Sequence, residues 1–139
     1  MMYRRILVGI DGSDGSRAAL RQAVRLAREL GAELHALGVE EHLPRFVATV
    51  GELEEAKEER DAFFQRVMDE ASQVAHEAGV ELRTMIAAGN AAKVLVEHAR
   101  QQGIDLLVLG HTRSVWGNLL GSTADRVVDH AHCDVLIVR

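Results

Sequence analysis

The segment Ile6-Leu7-Val8-Gly9-Ile10, followed by Asp11-Gly12-Ser13, opens the first structural unit of this chain of 139 residues. Such a short run of mostly branched apolar residues is typical of a strand buried on both faces of a parallel sheet, and the turn-forming residues end it. Over residues 17–30 apolar side chains recur at helical spacing, with Ser16 as the predicted N-cap and Gly31 as the predicted C-terminal cap. The sequence therefore predicts a strand, a turn and an amphipathic helix in succession.

The same alternation of strand and helix continues to the end of the chain. Apolar runs and helical periodicity predict strands over 33–39, 80–87, 104–109 and 135–138, and helices over 52–78, 91–102 and 122–131. Alternating strands and helices imply an α/β fold with a five-stranded parallel sheet, helices on both of its faces and right-handed crossovers. We therefore predict a single α/β domain over residues 1–139.

The predicted helix over 52–78 is long for a domain of this size. Phe63, Phe64 and Met68 are among the apolar residues on the side that we expect to face the sheet. At a rise of about 1.5 Å per residue the helix would be roughly 40 Å long, so we expect its first turns to extend beyond the sheet.

One short pattern occurs at three predicted helix-to-strand junctions. An acidic residue comes two positions after each of Gly31, Gly79 and Gly103, and a leucine follows it directly. Glycine readily takes the left-handed conformation that ends a helix, so ordinary junction chemistry accounts for the pattern. The pattern is also compatible with the duplication of a βαβ unit.

Composition and charge argue against several classes of protein. The chain is 47% hydrophobic and 27% charged, and its 16 Lys and Arg against 21 Asp and Glu give a formal charge of −5, which does not favour nucleic acid as a partner. The single cysteine, Cys133, cannot form an intramolecular disulfide, and no apolar run is long enough to span a membrane or to serve as a secretory signal. We therefore expect a cytoplasmic protein with no membrane partner.

Candidate ligand-binding residues follow three of the predicted strands. In sheets of this kind, ligands bind beyond the carboxyl ends of the strands, where the strand order reverses. Asp11 follows the first strand, Val39 ends the second, and a glycine-containing segment over 110–123 follows the fourth. The candidate residues of this segment are Gly110, His111, Thr112, Arg113, Gly117, Gly121, Ser122 and Thr123.

The segment 110–123 has the outline of a phosphate-binding loop. Its glycines let backbone N–H groups approach an anion, and Ser122 and Thr123 begin a helix whose N-terminus carries partial positive charge. In the simpler interpretation the glycines only turn the chain and Ser122 only caps the helix. Spacing alone slightly favours this simpler interpretation, whereas Arg113 adds the positive charge that a polyanion needs in an acidic protein.

Sequence motifs for catalysis or metal binding are absent or weak. The chain has no P-loop motif, no Gly-x-Gly-x-x-Gly after the first strand and no Gly-x-Ser-x-Gly nucleophile elbow. His130, His132 and Cys133 lie close together, but without a fourth ligand they indicate a packed helix-to-strand junction rather than a metal site. We expect His98, on an apolar helix face, to be a core histidine, and we predict no catalytic residue.

Both ends of the chain resemble the universal stress protein family, and the resemblance covers essentially the whole chain. The opening segment over 5–13 is similar to the first strand and turn of that family, and the closing segment over 121–139 is more similar still. The resemblance implies a Rossmann-like five-stranded parallel sheet of the adenine nucleotide alpha hydrolase type and homodimers joined through the last strand, residues 135–138. It also implies, in one branch of the family, ATP or AMP bound by the motif Gly-x2-Gly-x9-Gly-Ser/Thr.

This motif is matched in part. Gly110 corresponds to its first glycine and Gly121-Ser122 to its final pair, whereas Arg113 replaces the second glycine and the interval is two residues shorter. By the same resemblance, Asp11 and Val39 would flank the adenine and ribose, and the residues that open the last helix would contact the phosphates.

Three hypotheses on function follow. The first is a homodimeric universal stress protein that binds ATP or AMP, with Mg²⁺ as a candidate companion of ATP, and signals through its bound state. The second is a universal stress protein that does not bind ATP and acts as a dimeric protein-interaction module. The third is an enzyme, either a slow ATPase or a distant relative of the adenylate-forming pyrophosphatases, although residues 11–16 do not match the Ser-Gly-Gly-x-Asp-Ser loop of those enzymes. Because no base that would activate water can be named, we expect at most slow ATP hydrolysis.

Overall fold

A computed structural model describes residues 2–41, 49–111 and 122–139 of the chain. The described residues form five strands and four helices that alternate along the sequence. Their bounds are β1 Arg5–Gly9, α1 Asp14–Leu30, β2 Glu33–Glu40, α2 Val50–Glu77, β3 Leu82–Ala88, α3 Ala91–Gln101, β4 Leu106–Gly110, α4 Ser122–His130 and β5 Asp134–Val138.

The strands form one parallel sheet with β1 at its centre. The strand order is β3-β2-β1-β4-β5, and Ile6 of β1 is paired with Leu34 of β2 on one side and with Leu106 of β4 on the other. The chain builds outward from β1 to β3 and then returns to the other side of β1 for β4 and β5. The sheet confirms the predicted fold class, and the strand order reverses between β1 and β4.

Alternate residues of the central strands pack against helices on opposite faces of the sheet. Ile6 and Val8 are buried in a cluster with residues of α1 and α2, whereas Leu7 and Leu107 are buried with residues of α3 and α4. Because the side chains of a strand alternate between its two faces, a strand that is apolar throughout must be covered on both. This position explains the continuous apolar run near the start of the sequence.

The structure corrects the predicted start of α1. Ser13, not Ser16, is the N-cap, and its hydroxyl accepts a hydrogen bond from the backbone N–H of Ser16 at 3.2 Å. Ser16 is buried in the first turn, where its hydroxyl donates to the carbonyl oxygen of Ser13 at 3.1 Å and accepts from the backbone N–H of Asp11 at 3.3 Å. The helix is capped, as predicted, by Gly31, whose φ of 65° is left-handed.

The three predicted glycine junctions share one hydrogen-bond pattern. Gly31, Gly79 and Gly103 have φ angles of 65°, 73° and 64°, and the N–H of the next residue donates to a helical carbonyl oxygen five positions earlier at 2.9–3.0 Å. This is the Schellman motif, which satisfies carbonyl groups at the end of a helix. Because Val80 and Ile104 still belong to it, β3 and β4 begin two residues later than predicted.

Helix α2 is the longest element and begins with a capping box formed by Thr49 and Glu52. Burial in α2 begins at Phe64, in agreement with the expected extension of its first turns beyond the sheet. The prediction for Phe63 is wrong, because Phe63 is 41% exposed and packs against the turn at Gly12 instead of the sheet. Neither α2 nor any other described helix is both long and apolar enough to cross a membrane.

Candidate functional site

A cavity of about 340 Å³ opens at the carboxyl end of the sheet, where the strand order reverses between β1 and β4. Four of the residues singled out in the sequence line it, namely Asp11, Val39, Gly110 and Thr123. A cavity of this size at such a position is typical of binding sites for small organic ligands.

The remaining candidate residues lie next to the cavity lining or outside the described residues. His111 follows Gly110 directly, and its backbone N–H donates to the carbonyl oxygen of Val138, the last residue of β5, at 2.7 Å. Ser122 begins α4. The candidates outside the described residues are Thr112, Arg113, Gly117 and Gly121.

Asp11 lies just beyond β1 and has a structural role of its own. Its carboxylate accepts a hydrogen bond from the backbone N–H of Ser13 at 2.9 Å, which stabilises the turn before α1. The N–H of Ile10 donates to the carbonyl oxygen of Leu37 at 3.0 Å, so the contact with β2 continues up to the cavity. An ionised carboxylate has about four acceptor positions, so Asp11 keeps capacity for a hydroxyl or N–H group of a ligand.

Gly110 and Gly15 bring two backbones into direct contact. A Cβ atom on Gly110 would overlap the carbonyl oxygen of Gly15 and lie 2.8 Å from the amide nitrogen of Ser16, and a Cβ atom on Gly15 would lie 2.9 Å from the carbonyl oxygen of His111. The first turn of α1 therefore rests on the end of β4 with no side chain between them. This contact accounts for glycine at position 110 without reference to a ligand.

Helix N-termini border the β4 side of the cavity. Ser13, the N-cap of α1, and Thr123, the second residue of α4, both line the cavity. The first turn of a helix carries N–H groups without helical partners and partial positive charge. This side of the cavity therefore suits an anionic group such as phosphate.

Charged side chains border the β2 side of the cavity. Arg60 of α2 lines the cavity, and its guanidinium donates a hydrogen bond to the backbone carbonyl oxygen of Glu41. Glu40 is 9% exposed, and burial, with a further contribution from a hydrogen bond to Asp61, raises the pKa of its carboxyl. Asp61 is paired with Lys57 at 2.9 Å, and this contact lowers the pKa of Asp61. With the side chain of Glu41, which also lines the cavity, three carboxyl groups and two cations are found on this side among the described residues.

Arg60 and Phe64 line the cavity although the sequence did not single them out as ligand-binding residues. Phe64 packs on Gly38 of β2, where a Cβ atom would lie 2.7 Å from the phenyl ring. Arg60 precedes Phe64 by four residues and so lies one turn earlier on the same side of α2. Gly38 was the available signal, because a glycine within an apolar strand often marks the close approach of another element.

His98 and Cys133 lie in packed surroundings. His98 packs edge to face on His35 with 6.0 Å between ring centroids, and burial lowers its pKa. Burial also raises the pKa of the Cys133 thiol. His98 is therefore the core histidine that the sequence predicts. In the part of the chain that the structure describes, no group of three or more His, Cys, Asp or Glu side chains is arranged to hold a metal ion.

Comparison with known proteins identifies one family over nearly the whole chain. The model of that family, described as the Universal stress protein family, matches residues 2–139. A curated universal stress protein of Methanocaldococcus jannaschii is 36% identical over 146 residues, and the alignment covers 99% of this chain and 83% of that protein.

Solved structures of such proteins have the same architecture. The universal stress protein UspA from Lactobacillus plantarum is 33% identical, with a TM-score of 0.85 and coverage of 100% of this chain and 99% of that chain. A universal stress protein in complex with cAMP is 28% identical, with a TM-score of 0.77 and coverage of 100% of this chain and 98% of that chain.

Proposed function

The chain belongs to the universal stress protein family, and we propose that it binds an adenine nucleotide, AMP or ATP, and acts in the stress response through its bound state. The observation that carries this proposal is the cavity of about 340 Å³ at the point where the strand order reverses. The family member solved in complex with cAMP, which is 28% identical to this chain, supports the same class of ligand.

The distribution of charge favours one orientation of the nucleotide. The phosphates would lie on the β4 side, where Ser13 and Thr123 belong to helix N-termini. The adenine and ribose would lie toward Asp11 and Val39. Arg113 and the glycines of the predicted phosphate-binding loop would add donors for the phosphates, and Mg²⁺ would accompany ATP.

Calorimetric titration of nucleotide-stripped protein with AMP and with Mg-ATP tests this proposal. Thr123→Glu adds a negative charge at the N-terminus of α4, which suits the helix but repels phosphate, and Thr123→Gln is a neutral control of the same size. We expect micromolar binding by the wild type, a loss of at least about tenfold in Thr123→Glu and a smaller loss in Thr123→Gln. Folded wild-type protein that gives no heat at millimolar nucleotide would contradict the proposal.

The proposed assembly is a homodimer joined through β5. Within the described residues, β5 pairs only with β4, and residues 135–138 are apolar and half-buried. An apolar edge strand with unpaired N–H and C=O groups favours pairing with a second copy. Light scattering at micromolar concentration should give the mass of two chains, and the mass of one chain would contradict this part of the proposal.

A dimeric protein-interaction module without ATP binding is the second candidate. The contact between Gly110 and Gly15 favours it, because this contact accounts for the first glycine of the nucleotide motif without a ligand. Folded, dimeric protein that binds neither AMP nor ATP in the same titration would support this candidate.

A further inference from the structure

Arg60 is held on the β2 side of the cavity by its helix and by one hydrogen bond. Phe64, one turn later in α2, is 7% exposed and packs on Gly38, so the helix lies close against β2. The guanidinium of Arg60 donates to the backbone carbonyl oxygen of Glu41, just beyond the strand. These two contacts place a planar cationic group in the lining of the cavity.

The surroundings of Arg60 disfavour a phosphate group at this position. Glu41 lines the cavity beside it, and Glu40 is buried nearby. The carboxylate of Glu41 would repel a phosphate, whereas an uncharged aromatic ring carries no such penalty. The N-termini of α1 and α4, on the β4 side, offer the phosphates a more favourable position.

The guanidinium group is chemically suited to a nucleobase. It has five N–H donors in one plane, one of which bonds to Glu41, and the plane can stack on an aromatic ring. A purine offers both an aromatic face and acceptor nitrogens at its edge. We propose that Arg60 is a ligand-binding residue that contacts the base of the bound nucleotide, so that recognition on the β2 side depends on the base and not on the phosphates. This inference rests on the proposed nucleotide binding.

NMR titrations with AMP, adenosine and ribose 5-phosphate separate the contribution of the base from that of the phosphate. Arg60→Met removes the charge and the planar donors but keeps an unbranched side chain, and Arg60→Lys keeps the charge and a donor for Glu41. Arg66→Met is the matched control, because Arg66 is exposed on the same helix. The melting temperature of each variant is measured alongside.

We expect Arg60→Met to weaken the binding of AMP and of adenosine by the same factor, roughly tenfold, and to leave the binding of ribose 5-phosphate unchanged. Arg60→Lys should bind AMP nearly as weakly as Arg60→Met does, because lysine has no planar group to place on the base. Arg66→Met should bind all three ligands like the wild type.

Other patterns would overturn the proposal. Weaker binding of AMP and ribose 5-phosphate with unchanged adenosine would assign Arg60 to the phosphate. Equal weakening of all three ligands with a lower melting temperature, both restored by Arg60→Lys, would assign Arg60 to holding Glu41. Unchanged binding in Arg60→Met would show that Arg60 does not contact the base. Equal affinity of the wild type for AMP and ribose 5-phosphate would show that the base adds nothing to binding. Wild-type protein that binds neither AMP nor adenosine would refute nucleotide binding itself, and this inference with it.

Discussion

The cavity has two walls that are built in different ways. On the β4 side, the backbone of Gly110 touches the backbone of Gly15 with no side chain between them, and we call this the backbone wall. On the β2 side, Phe64 packs on Gly38 and Arg60 bonds to the end of the strand, and we call this the side-chain wall.

The difference separates what sets the architecture from what sets the ligand preference. Two backbones in contact leave no room for variation, because any Cβ atom between them forces the two elements apart. Side chains at the other wall can change rotamer or identity while the helix keeps its position. We expect the backbone wall to determine whether the cavity forms, and the side-chain wall to determine what the cavity binds.

Substitution in the backbone wall should have the largest effect. In Gly110→Ala the new methyl group would overlap the carbonyl oxygen of Gly15, so α1 and β4 must separate. We expect the free energy of unfolding to fall by about 3 kcal/mol, measured by urea denaturation, with loss of nucleotide binding. A Gly110→Ala variant as stable as the wild type would show that the two backbones are not in contact.

A glycine-to-alanine substitution in the side-chain wall should lower the free energy of unfolding less, and a second substitution should compensate for part of the loss. In Gly38→Ala the new methyl group would meet the phenyl ring of Phe64 at 2.7 Å and the terminal methyl of Met68 at 2.9 Å, and both are parts of side chains that can move. We expect a loss of about 1–2 kcal/mol in the free energy of unfolding. Combined with Phe64→Leu, the two losses should be less than additive, because the smaller side chain makes room for the methyl group. Strict additivity in this double-mutant cycle, measured in urea, would argue against the contact.

The smallest expected effect is a dependence on pH that only the side-chain wall should have. Burial raises the pKa of Glu40, so the native state holds this proton more tightly than the unfolded chain does. The stabilisation from Glu40 is therefore complete at acidic pH and is lost as the pH rises through the raised pKa. Glu40→Gln stays neutral at every pH, so its advantage in melting temperature over the wild type should be small near pH 4 and should grow toward pH 7.

The matched control for this pH effect is Glu58→Gln, at an exposed position of α2, the helix that packs beside Glu40. Its difference in melting temperature from the wild type should stay nearly constant over the same pH range. A difference between Glu40→Gln and the wild type that does not change with pH would mean that Glu40 does not hold its proton preferentially in the native state.

Local chemistry was enough to predict most of the fold. The apolar run at Ile6 has one explanation, a strand covered on both faces, and the glycines at Gly31, Gly79 and Gly103 mark helix ends by their conformational freedom alone. Each of these signals is contained in a stretch of a few residues, so it can be recognised without knowledge of the tertiary structure.

The details of the site depend on contacts between distant parts of the chain. One missed detail is local: Ser13 and Ser16 have the same capping chemistry one turn apart, and Ser13 is favoured because its N–H also donates to the carboxylate of Asp11. Gly15 and Gly110 meet only once β4 lies beside β1. Helical periodicity places Arg60 on one side of α2 but does not show that this side reaches the end of β2.

The central position of β1 has a consequence for how the chain folds. Ile6 pairs with Leu34, which is near in sequence, on one side, and with Leu106, which is far, on the other. Closing the longer loop costs more conformational entropy, and non-local pairing is slow. We expect the unit from β1 to β3 to form first and β4 and β5 to be added later. The cavity lies along the line where these two parts join. A ligand bound there would contact both parts, so we expect it to slow unfolding as well as to stabilise the native state.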